Sequence, residues 1–86
     1  MSAEEEIGVV THYFNHIEVG AIEITNGELS VGDTIHVKGH SDDFTMKIDS
    51  MQLEHDMVEK ATVGQNVGIK VPARVHEHDK VFKVVE

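Results

Sequence analysis

Apolar residues recur at every second position in short runs broken by turn signals, and this cadence constrains the fold more than any other feature of the chain. Ile35 and Val37 alternate with His36 and Lys38, while Val67, Ile69 and Val71 alternate with Gly68 and Lys70. A period of two buries one face of a strand and leaves the other in water, and short strands at close intervals imply a barrel or sandwich. Six runs read as strands: 7–13, 17–24, 34–39, 44–53, 66–71 and 80–85. Between them, Thr25-Asn26-Gly27-Glu28 reads as a turn, because Asn and Gly accept the positive φ of tight turns. Pro72 has no N–H to give to a ladder and ends the fifth run.

Two segments depart from simple alternation. Phe44, Met46 and Ile48 share a face, whereas Met51 and Leu53 carry the opposite parity, which predicts a bulge or bend near Asp49-Ser50. The stretch 54–61 has no sustained period and reads as a loop. Ser30-Val31-Gly32-Asp33 and Thr62-Val63-Gly64-Gln65 echo one another. In each, the glycine suits a backbone conformation closed to other residues, and the preceding valine is expected to plug the end of the barrel.

With 86 residues, 40% of them hydrophobic, the chain holds one core and no cysteine to reinforce it. An acidic leader at 1–6, expected to fray, precedes a single domain at 7–86. No apolar run approaches the ~18 residues of a membrane-crossing helix, so the reading is a cytoplasmic protein without a membrane partner. The formal charge is -9, concentrated before Lys60. Such a surface repels phosphate and speaks against DNA. The C-terminal third gathers Lys70, Arg74 and Lys83, the positions from which RNA or a protein partner would be contacted.

The runs Gly8-Val9-Val10, Val19-Gly20 and Gly27-Glu28-Leu29-Ser30-Val31-Gly32-Asp33-Thr34-Ile35 resemble the second domain of elongation factor Tu and its relatives. A closer resemblance is to the small free-standing elongation-factor-like barrel, a version of which also sits at the C-terminus of some collagenase-like peptidases. It rests on Thr11-His12-Tyr13-Phe14, on Lys38-Gly39-His40 with Asp43-Phe44, and on Ser50-Met51-Gln52-Leu53-Glu54-His55 with Val67-Gly68-Ile69-Lys70-Val71. The resemblance implies an all-β fold: a small, closed, six-stranded barrel of antiparallel type, as in translation proteins. Where that family often has a glycine before the last strand's aspartate, this chain has His78 before Asp79. Histidine tolerates positive φ less well than glycine, so the last turn is a candidate for remodelling. No glycine begins a G-x-x-x-x-G-K-[ST] loop, so GTP binding does not carry over.

Chemistry-bearing residues are sparse. His76 and His78 would share a side of an extended segment and form a weak metal-binding pair. Ser30, Ser41 and Ser50 stand at turns or bends, and Asp42-Asp43 lies in a polar loop, so no catalytic constellation and no cofactor are expected. Tyr13 and Phe14 have opposite parity, so one of them faces outward and could anchor a partner. The leading expectation is a non-catalytic binding module, related to translation-factor barrels, that contacts protein or RNA. The alternative is an accessory partner of a collagenase-like peptidase or RNA-modifying enzyme. A third reading is a metal- or pH-responsive protein using the seven histidines.

Overall fold

The computed structural model describes residues 3–85. Ten strands and no helix make up the described chain: β1 (Ala3–Phe14), β2 (Val19–Ile24), β3 (Glu28–Ser30), β4 (Thr34–Lys38), β5 (Asp43–Lys47), β6 (Met51–Leu53), β7 (Asp56–Val58), β8 (Lys60–Thr62), β9 (Asn66–Lys70) and β10 (Lys80–Val85). Eight of them form one sheet in the order β5-β4-β10-β1-β2-β9-β6-β7, and β3 pairs with β8 in a second. Every ladder is antiparallel.

The large sheet cannot be flat. β5 and β6 stand six positions apart in it, which in a flat sheet is about 29 Å at the usual strand spacing. The chain from Lys47 to Met51 spans at most about 14 Å. The sheet must therefore roll until its two ends approach. Two register shifts in β1, between Glu6 and Gly8 and between Val10 and His12, supply bends of the kind that sharpen twist. Among the described residues no ladder joins β5 to β7, so the hydrogen-bonded wall is open at that seam and closure into the expected six-stranded barrel is not seen.

Alternation decides which residues fill the interior. Ile35 and Val37 of β4, Val67 and Ile69 of β9, Ile22 and Ile24 of β2, and Val81 of β10 pack with Val10, Ile48, Met51 and Val75 into one buried cluster. Fully burying side chains of this size contributes roughly 1.5–3 kcal/mol each, and this apolar packing holds the fold in the absence of cysteine. β9 ends at Lys70, two residues before Pro72, and Gly27, Gly32 and Gly64 all adopt positive φ, as the turn signals require.

Four expectations need correction. The valines of the echoed turns do not plug the fold: Val31 and Val63 are exposed, because each occupies the turn and points to water. The plug is the residue pair two positions earlier, Leu29 and Ala61, which face each other across β3 and β8 with no exposed surface. The parity change near Asp49-Ser50 marks no bulge within one strand but a bend where the chain passes from β5, the first strand of the sheet, to β6, the seventh. The presumed loop 54–61 holds a hairpin, β6 to β7, followed by β8. Its two-residue turn, Glu54-His55, has φ values of 49° and 74°, the positive pair of a type I′ hairpin made without glycine. Finally, residues 3–6 of the expected leader belong to β1 and pair with Phe82–Val85 of β10, while residues 1–2 lie outside the described residues.

Candidate functional site

The described residues bring one group of potential ligands together: Asp42, His76 and Asp79, whose donor atoms lie within 4.8 Å of one another. His76-Glu77-His78-Asp79 is not extended. The Asp79 N–H donates to the His76 carbonyl at 3.1 Å and His78 adopts φ 76°, so the four residues make a turn. His76 and His78 border the same cleft, but His78 is not in the ligand group. His78 keeps the left-handed geometry that a glycine would supply, and its ring is outside the cluster. Asp42 and Asp79 take the places that the sequence pattern gave to a second histidine.

Asp79 is 4% exposed and is the one buried polar side chain among the described residues. Its Oδ2 accepts the His76 N–H at 3.0 Å, which ties the turn closed. Its carboxyl also fills the space above Gly39, where a Cβ would overlap Oδ1. Burial, then the hydrogen bond with the Asp42 carboxyl, raises the Asp79 pKa above its ordinary value. Asp42 is lowered instead, by the same Asp79 contact and by the His76 ring, whose Nδ1 lies 2.7 Å from Asp42 Oδ2. Two carboxyls in contact cannot both ionise cheaply, which is why the buried one, Asp79, is raised while Asp42 is lowered. The cluster clasps the 39–42 loop to the 76–79 turn. A divalent cation there would have to break the His76–Asp42 bond first.

The residues expected to meet a partner are dispersed. Tyr13 is half-buried against the core with the Arg74 guanidinium 5.8 Å from its ring centre, whereas Phe14 is exposed and meets His12 edge-on at 4.5 Å. Lys83 on β10 is paired with Asp33 at 3.4 Å, and Lys70 ends β9, three places along the sheet from β10. Lys70, Arg74 and Lys83 therefore do not form one continuous basic stripe of the kind that follows a phosphate backbone. A second feature is an apolar groove on the outer face of β1, β2, β9 and β6, lined by Phe14, Ile17, Val19, Ala21 and Gly68 with Gln52, Glu54, His55 and Asn66. No sequence signal announced it, because Ala21 and Gly68 form a floor only when β2 and β9 are adjacent. No helix of the described chain is long and apolar enough to cross a membrane.

No family model matches the chain. Its relatives are peptidases. It is 35% identical over 78 residues to a collagenase of Porphyromonas gingivalis, a match covering 90% of this chain and 22% of that protein. It is 35% identical over 82 residues to an uncharacterised protease of Methanocaldococcus jannaschii, covering 94% of this chain and 20% of the other. The chain thus spans about a fifth of the length of these relatives. Among solved structures, the C-terminal domain of a U32-type peptidase of Geobacillus thermoleovorans superposes with a TM-score of 0.85, at 22% identity over 92% of this chain and 91% of that domain. At that identity the superposition shows the shared fold. The relatives found support the collagenase-like side of the resemblance and give none to elongation factor Tu.

Proposed function

We propose that this chain is a non-catalytic accessory domain of the kind found at the C-terminus of collagenase-like peptidases, acting by contact with a peptidase-type catalytic region. The observation that carries this reading is the 35% identity running through nearly the whole chain, but through only about a fifth of each peptidase relative. The fold agrees, since its counterpart in a U32-type peptidase is a terminal domain.

The side chains support contact over catalysis. The His76 ring is held by Asp42, and Asp79 is buried beneath Gly39 with its carboxyl engaged in the turn. Both border an open cleft with Gly39, His40 and His78, but their polar atoms are engaged within the clasp, and the chain has no cysteine to serve as nucleophile.

The test is complementation. A collagenase-like peptidase is truncated of the segment that matches this chain, and this chain is added back in trans. The reading expects the pair to co-sediment and the peptidase to recover thermal stability or activity, with gelatin untouched by this chain alone. Hydrolysis of gelatin by the isolated chain, or no association with the truncated peptidase, contradicts it.

A further inference from the structure

We infer that the outer-face groove over β1, β2, β9 and β6 is a docking site for a protein segment that combines apolar anchors with basic flanks. The register shows how the groove is built. His12 of β1 faces Ala21 of β2, Ala21 faces Gly68 of β9, Gly68 faces Gln52 of β6, and Gln52 faces Met57 of β7. One row thus crosses five strands, with its smallest residues in the middle. Phe14 and Ile17 wall one side, and Gln52, Glu54 and His55 wall the other, enclosing about 380 Å³.

The Phe14–Ile17 wall is apolar where water reaches it, with Phe14 46% exposed and Ile17 59%. Single exposed apolar residues are ordinary, but a groove with a small-residue floor, one large apolar wall and one polar wall is the form of an interaction site. The Glu54-His55 turn adds to this. Two non-glycine residues in the left-handed region carry a conformational cost of order 1–3 kcal/mol each, and they stand at the groove wall.

Charge selects the occupant. Glu54 lines the groove, Glu18 follows Ile17, and Glu23 faces Asn66 at the other end, with Lys70 the nearby cation. The chain as a whole carries -9. A second copy, a nucleic acid or an anionic lipid surface would each bring more negative charge to this rim. A segment with Leu, Ile or Phe between Lys or Arg residues satisfies both the walls and the rim. The inference does not require that the segment belong to a peptidase, so it stands or falls apart from the proposed function.

The experiment uses the full chain and a random library of short peptides displayed on phage. Enriched peptides are synthesised and their affinities measured by fluorescence polarisation. The expected result is enrichment of peptides with clustered apolar and basic residues. Their binding should fall about tenfold with Ile17→Ser, Phe14→Ser or Glu54→Lys, and weaken as salt rises. Ile17 and Phe14 are exposed, so these variants should melt close to the parent. Replacing Glu54-His55 by Asn-Gly should raise the melting temperature while lowering peptide affinity, which a purely structural turn would not do. Enrichment of acidic or wholly polar peptides overturns the inference, as does an absence of enrichment. Binding indifferent to all three single variants, a dimer that covers this face, or preferential binding to phosphatidylserine vesicles also overturns it.

Discussion

The carboxyl of Asp79 occupies the space that a side chain on Gly39 would need, so the glycine and the aspartate determine one another. Gly39 follows β4 and Asp79 precedes β10, and these neighbouring strands enter their ladder just beyond that contact, at Lys38 and Lys80. Gly39→Ala must push Asp79 out of its place and loosen the bond it accepts from the His76 N–H. The expected loss is about 2 kcal/mol, within the range for overpacking. Because a domain of this size shifts by roughly 4–8 °C per kcal/mol, calorimetry should show a fall in melting temperature of about 10 °C. A double-mutant cycle with Asp79→Ala should be strongly non-additive; additive losses would mean the two residues are independent.

His78 carries the opposite expectation. It holds φ 76° at a position where a glycine would pay no steric penalty, and its ring is not part of the Asp42–His76–Asp79 cluster. His78→Gly should stabilise the domain by up to about 1 kcal/mol. His78→Val, β-branched and poorly suited to positive φ, should destabilise it. Denaturant midpoints measure both, and a destabilised His78→Gly would show that the ring has a role the turn does not explain.

His36 gives a pH dependence of definite sign. Its ring reaches over β10, with Nδ1 2.9 Å from Glu4 of β1 and Nε2 bonded to Asp43 of β5. Both nitrogens meet carboxylates, and the bonds to Asp43 and then Glu4 raise its pKa above 6.5. Its contribution is therefore complete below 6.5 and is lost as pH rises through the raised folded value. Asp43 is lowered from 3.8 by the same contact, so its share is present above 3.8 and lost as pH falls through its folded value. The melting temperature should decline above 6.5 in the parent and decline less in His36→Gln. Equal slopes in the two proteins would show that the link contributes nothing, as many exposed ion pairs do.

The alternating strands were legible in the sequence because burial and parity coincide there. Ile35, Val37, Val67 and Ile69 are all fully buried, and period two marks them without reference to anything distant. Glu54-His55 was illegible for a local reason: a type I′ turn announces itself through Asn-Gly, and neither residue here belongs to that vocabulary. Glu4 to Glu6 read as a leader because acidic residues seldom start a strand. Their pairing with Phe82–Val84, and the Glu4–His36 bond between residues 32 apart, are products of topology. The same holds for the site. His76 was singled out, but Asp42 lies 34 residues away, and no spacing rule connects them.

The open seam also follows from the chain's order. A ribbon with β5 and β6 consecutive in sequence but six places apart in the sheet must roll, and sequence parity alone could not reveal that its ends stop short of pairing. The edge of β5 carries Asp43 and Lys47 at its ends, charges that discourage strand addition by another copy. Sedimentation should accordingly show a monomer at moderate concentration, and Asp43→Val with Lys47→Val should promote association. Self-association of the parent would contradict this.

The central claim is that this domain works by contact through its outer face and performs no chemistry at the Asp42–His76–Asp79 clasp. Amide chemical shifts recorded while the truncated collagenase-like peptidase is titrated into the labelled chain test it most directly. The account predicts perturbations grouped at Phe14, Ile17, Ala21, Gln52 and Gly68, with His76 and Asp79 unmoved. Perturbations centred on His76 and Asp79, with the groove residues silent, would contradict it.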